Sequence, residues 1–107
     1  MLVYGLKNCD SCRAAVKALT AAGHEVRLVD VRAEPLSEAD LARFLEAFGA
    51  ALVNTRSTTW RGLSEAERKD APQALLTAHP ALMKRPVIDT GAQLYLGWGA
   101  ASKDALL

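Results

Sequence analysis

The chain has two cysteines among its 107 residues, and both fall in one short stretch, Cys9-Asp10-Ser11-Cys12. A pair at this spacing supports three chemistries. The first is redox: one thiolate attacks a disulfide or an oxidised substrate, and the second thiol, one helical turn away, resolves the adduct. The second is half of a zinc site, which needs two further ligands. His24 and His79 are the candidates; neither stands at motif spacing, and no second cysteine pair follows. The third is structural, because cysteine is a commonly buried residue type.

The flanking elements weigh between these. "MLVYG", residues 1–5, is short, apolar and partly β-branched, and predicts a buried strand ended by Gly5. From Asp10 the pattern turns helical: Ala15, Val16, Leu19 and Ala22 share one face, and Gly23 falls where a helix stop belongs. Cys9 lies between the two, at the first turn, where unpaired backbone N–H groups and the positive end of the helix dipole face it. A thiolate is stabilised there, so its pKa is expected below the free value of about 8.5. Lys7 and Arg13 add positive charge nearby. Asp10 opposes them if its carboxylate turns to the sulfur, and otherwise caps free N–H groups. In this setting the pair makes chemical sense as a nucleophile, Cys9, and a resolving thiol, Cys12, with the zinc and structural readings the lesser alternatives.

Beyond the helix, "EVRLVDV" at residues 25–31 predicts a second strand, and strand–helix–strand makes a right-handed βαβ unit. Pro35 breaks the chain. Ser37, with Asp40 three residues on, marks a helix start; Leu41, Phe44, Leu45 and Phe48 follow at helical spacing, and Gly49 stops it. "ALVNTRSTTWRGLSEAE" reads as a polar loop passing into a short helix near residues 64–69. Asp70 before Pro72 starts another helix, which His79-Pro80 closes. "RPVID" and "AQLYLG" are short strands around a Thr90-Gly91 turn, and "ASKDALL" gives a final helical turn or two. The order β-α-β, helical block, β-β-α predicts an α/β, thioredoxin-like fold in a single domain over residues 1–107, with a helical insertion at about 36–80.

Composition narrows the partners. Net charge is +1 with both signs spread along the chain, and aromatic residues are 6% of it. Neither feature argues for nucleic acid or a membrane surface. The N-terminal apolar run is too short for a signal peptide and meets Lys7 at once, and no apolar stretch approaches 18 residues, so the expected location is cytoplasmic. A Cys-x-x-Cys in that compartment is more often catalytic or metal-binding than a structural disulfide. "NTRSTTWR" offers Arg56 and Arg61 amid hydroxyls, and a planar guanidinium fork suits carboxylate, phosphate or arsenate oxygens. The bland alternative is a core Trp60 between solvated arginines.

Three separate segments carry a resemblance: "YGLKNCDSCRAAVKAL", "LVNTRSTTWRGL" and "LMKRPVI". Together, and in this order, they resemble the arsenate reductase (ArsC)-like family, closest to its YffB branch. The resemblance implies the thioredoxin-like fold and a nucleophilic Cys9. It also implies a cis proline at Arg85-Pro86 beside the active site, with Asn8, Arg13, Arg56, Arg85 and Pro86 around a bound anion or glutathione. Arsenate reductases of this type lack a cysteine at the Cys12 position and use three arginines. Two of those positions fall nearest Asn54 and within residues 94–98, where this chain has none. The second cysteine is similar to the Spx branch, redox-sensing regulators that bind RNA polymerase. The expected activity is a cytoplasmic thiol-disulfide reductase, monomeric, holding no metal or bound cofactor, with glutathione as co-substrate and glutaredoxin as a partner. A regulator of the Spx kind and a true arsenate reductase are the alternatives.

Overall fold

The computed structural model of the chain describes all of residues 1–107. They form two compact units, Met1–Glu34 with Arg85–Leu107, and Pro35–Lys84.

The first unit holds the sheet. Strand β1 (Leu2–Gly5) is followed by helix α1 (Asp10–Ala21) and strand β2 (Arg27–Asp30); β3 (Val87–Asp89), β4 (Leu94–Leu96) and helix α6 (Ala100–Leu106) complete it. The strand order is β2-β1-β3-β4, with β2 parallel to β1 and the other neighbours antiparallel. Val3 of β1 pairs with Ile88 of β3, and both are fully buried with Ala15 and Leu19 from α1. Val16, Leu28, Tyr95, Trp98 and Leu106 close around that centre. Val3, Leu19 and Ile88 each contribute about 1.5–3 kcal/mol by burial, which fastens α1, and with it the cysteines, to the sheet. Gly23 ends α1 with φ 96°, a left-handed turn that favours glycine. The next residue, His24, places Nε2 3.1 Å from the Leu106 carbonyl oxygen and so ties this turn to the end of α6.

The second unit is helical: α2 (Glu38–Phe48), α3 (Thr58–Arg61), α4 (Glu65–Arg68) and α5 (Pro72–Ala78), with 3-10 turns at Gly49–Leu52 and Pro80–Leu82. Ser37 Oγ accepts from the Asp40 N–H at 3.1 Å, as the spacing predicts, and Gly49 ends α2 with φ 56°. Leu41, Phe44, Leu52, Leu63, Leu75, Leu76, Leu82 and Met83 are its buried hydrophobic side chains. Backbone bonds from Asn54 N–H to Leu82 O (2.8 Å) and from Lys84 N–H to Leu52 O (2.7 Å) close the unit near its ends.

Local differences from the sequence expectations have local causes. The polar run after residue 51 contains a helical turn, α3, that its β-branched threonines conceal; Ser57 caps it by accepting from the Trp60 N–H. Helix α5 is capped by Ala71, with Pro72 as its first residue, so Asp70 lies one position outside. Strand β3 begins only after Pro86, which has no N–H to give a ladder.

Candidate active site

The site residues of the first unit gather at the C-terminal end of β1. Leu6 to Cys9 make the turn from strand to helix, closed by the Cys9 N–H on the Leu6 carbonyl at 3.2 Å. Lys7 and Asn8 are exposed at its tip. Cys9 is the N-cap of α1, in extended conformation, and its carbonyl accepts the first helical bond from the Arg13 N–H at 3.0 Å. The register Tyr4 to Val87 places the start of β3 beside the end of β1, which brings in Arg85 and Pro86 across a cis peptide bond. Pro86 is buried, and its carbonyl accepts from the Gly97 N–H at 2.7 Å.

The two thiols differ sharply. Cys9 is partly exposed; Cys12, at 0% exposure, is in the core. Burial pushes the Cys9 thiol up, but this is outweighed by the Cys12 N–H, the Cys12 thiol, the Arg85 charge and the Ser11 N–H, and its pKa falls below the ordinary value. The Cys9 side chain makes no cap hydrogen bond of its own, so these N–H groups act on the sulfur as the dipoles of a helix start. Cys12 goes the other way. Burial pushes it up to about 11, and the neighbouring Cys9 sulfur adds to this, against the opposing Leu6 N–H and Arg85. The arrangement raises the thiolate fraction at position 9 above that of an ordinary cysteine and keeps the thiol beneath it neutral at neutral pH.

The remaining expected residues fall into two groups. Arg13 is engaged by Asp10 in an exposed i,i+3 ion pair, so Asp10 neither caps the helix nor leaves Arg13 unpaired. The cation that acts on Cys9 is Arg85. Arg56 belongs to the helical unit, where it is exposed and its N–H donates to Asn54 Oδ1 at 3.0 Å. Asn54 thus serves a turn. His24 is occupied with Leu106, and His79 lies 3.8 Å from Glu67 within the helical unit.

Two residues escaped the sequence reading. Asp30, at the end of β2, accepts N–H bonds from Lys7 (3.1 Å), Arg32 (2.9 Å) and Ala33 (3.4 Å), and so pins the turn that leads into Cys9. The Lys7 and Arg32 N–H groups hold its carboxyl below the usual range. An aspartate followed by a turn carries the Asx-turn signal for its own neighbours, but the bond to Lys7 spans 23 positions. Arg68 clasps the middle motif: it donates to the Trp60 and Arg61 carbonyls at 3.2–3.3 Å and lies 5.6 Å from the Trp60 ring centre. Trp60 is half-buried and Arg61 is exposed.

A β-α-β half and a β-β-α half on one mixed sheet, with a cysteine at the start of the first helix and a cis proline opposite, define a thioredoxin-like protein. Residues 4–105 match the ArsC family, and the chain belongs to that family. A protein of Haemophilus influenzae is 38% identical over 101 residues, covering 90% of this chain and 89% of its own length. Among solved structures, YffB (PA3664) superposes with a TM-score of 0.87 at 29% identity, covering 99% of this chain and 97% of that one. An arsenate reductase (ArsC)-related protein of Brucella melitensis gives a TM-score of 0.75 at 34% identity, covering 97% and 91%. No helix is long and apolar enough to cross a membrane.

Proposed function

We propose that the chain is a thiol-disulfide reductase that uses Cys9 as nucleophile and glutathione as its source of electrons. The observation that carries this is the asymmetry of the pair: the partly exposed sulfur is the more acidic one, and the buried sulfur stays protonated. The Cys9 thiolate attacks one sulfur of a substrate disulfide, forms a mixed disulfide and expels the other sulfur as a thiolate, which takes a proton from water. Arg85 offsets the charge on the incoming anionic partner. Release then follows one of two routes. With a glutathione mixed disulfide, a second glutathione thiolate attacks the glutathione sulfur held on Cys9, leaves as glutathione disulfide and frees the Cys9 thiolate. With a protein disulfide, Cys12 loses its proton to water, attacks Cys9 Sγ and expels the second thiolate. In the second route two glutathiones reduce the resulting Cys9–Cys12 disulfide, giving up two electrons and two protons as they pair. Once Cys9 is in an adduct its charge is gone, which removes one of the causes that keep Cys12 protonated. The proposal includes a cytoplasmic, monomeric protein with glutaredoxin as an alternative electron donor.

Turnover of a glutathione mixed disulfide, a protein disulfide and arsenate by wild type, Cys9→Ser and Cys12→Ser tests the reading. Cys9→Ser should lose all turnover, and Cys12→Ser should keep the small mixed disulfide while losing the protein disulfide. Undiminished turnover in Cys9→Ser refutes the assignment. Arsenite production that needs Cys9 but not Cys12 would move the chain to the arsenate reductases.

A further inference from the structure

Gly5 closes β1 although its backbone does not call for glycine. The glycines in the left-handed region are Gly23, Gly49, Gly91 and Gly97, and Gly5 is not one of them. Space excludes a side chain there. A Cβ on residue 5 would overlap Cys12 Sγ and lie 3.1 Å from Cys12 Cβ, whereas the next neighbour, Leu28 Cδ1, stands 3.9 Å away at ordinary contact. The obstacle is one residue, and mainly its sulfur.

We propose that Gly5 is a positioning residue of the thiol pair: its missing side chain is the seat against β1 that shelters Cys12 Sγ beside Cys9. Residue 5 thereby decides whether the second thiol stays buried under the first or is displaced. The seat stands on geometry alone; its bearing on turnover rests on Cys9 being the nucleophile. Inside a helix a side chain has in practice two staggered χ1 positions, the third being blocked by the preceding turn. A methyl group at residue 5 denies the sulfur its present place, so either the sulfur swings to its other position or α1 lifts from the sheet. In both cases Cys12 loses its shelter. Cys9 also loses the neighbouring thiol that helps to hold its thiolate. The two positions are therefore coupled, and a chain without sulfur at 12 tolerates a methyl at 5.

A double-mutant cycle tests this, with wild type, Gly5→Ala, Cys12→Ala and the double variant, all reduced. Urea unfolding gives the folding constants, and iodoacetamide labelling against pH, with adducts located by mass, gives the Cys9 midpoint. Gly5→Ala should lower the folding constant about tenfold or more in wild type, as overpacking does, and less than about threefold in the Cys12→Ala background. The Cys9 midpoint in Gly5→Ala should rise to that of Cys12→Ala, with no further rise in the double variant, and Cys12 should become labelled. If Gly5→Ala alone does not fold, recovery of the fold in the double variant is the expected result, and failure of both overturns the seat. Equal cost in the two backgrounds, or a Cys9 midpoint left at the wild-type value, also overturns it. Neither readout depends on turnover, so an inactive reductase and an absent seat give separate results.

Discussion

Replacing Arg85 with Gln removes the cation that acts on Cys9 while keeping a polar side chain in its place. An opposite charge close by favours the thiolate and lowers the thiol pKa. Cys9 is partly exposed, and the Cys12 groups rank ahead of Arg85 in holding its thiolate, so losing Arg85 should return the Cys9 midpoint only part of the way to the ordinary thiol value. At pH values below both midpoints the thiolate fraction falls about tenfold for each unit of such a rise. The more basic thiolate is also about threefold more nucleophilic per unit, given a Brønsted slope of about 0.4–0.5. The net result is slower alkylation at low pH and faster alkylation on the alkaline plateau, about threefold each way per unit of rise, so the two pH–rate curves cross. Initial rates of iodoacetamide labelling at Cys9, from pH 5 to 10, resolve this. Arg85→Lys should track wild type, and 1 M salt should narrow the gap, since the screening length drops to about 3 Å. A Gln variant slower at every pH would mean that Arg85 holds shape rather than charge. An unshifted midpoint would remove it from the thiolate's surroundings, and either result refutes the reasoning.

Three more perturbations have definite signs. Cys12 is raised from an ordinary value of 9.0 to about 11, so the stability its neutral form supplies is full below pH 9 and lost as pH rises through about 11. That loss should amount to roughly 2–3 kcal/mol in urea unfolding, and Cys12→Ala should flatten it; a steep alkaline loss in Cys12→Ala would contradict the assignment. The Asp30 carboxyl is held low by the turn it pins, so its contribution is present above pH 3.8 and lost as pH falls through its lower folded value. Asp30→Asn should therefore soften acid unfolding and speed amide exchange at Lys7, measured by NMR; exchange unchanged from wild type would count against the pin. Phe44 is fully buried in the helical unit, and Phe44→Ala should cost about 3–5 kcal/mol with an unchanged urea m-value. A cost below about 1 kcal/mol would place Phe44 outside the core.

Neighbouring residues alone were enough to set much of this protein. The apolar run of β1, the one-sided apolar pattern of α1, Ser37 under the Asp40 N–H and Gly49 at the end of α2 are all interactions within four or five positions, so they are written in local order. The same holds for Cys9 at a helix start, which follows from a strand, a turn and a helix in succession. Where local order misled, short-range propensity was weak, as in the threonine-rich turn that Ser57 converts into α3. Tertiary structure decided what surrounds the sulfurs. With β1 in the middle of the sheet, β3 runs antiparallel against it from far along the chain and delivers Arg85 and Pro86, while β2 delivers Asp30 to the turn at Lys7. The packing of α1 on β1 then settles Cys12 Sγ over Gly5. Two cysteines three residues apart look alike in the sequence. They become unlike because one side of α1 faces the sheet and the start of the helix faces water, and burial raises one thiol while helix dipoles and a distant cation lower the other.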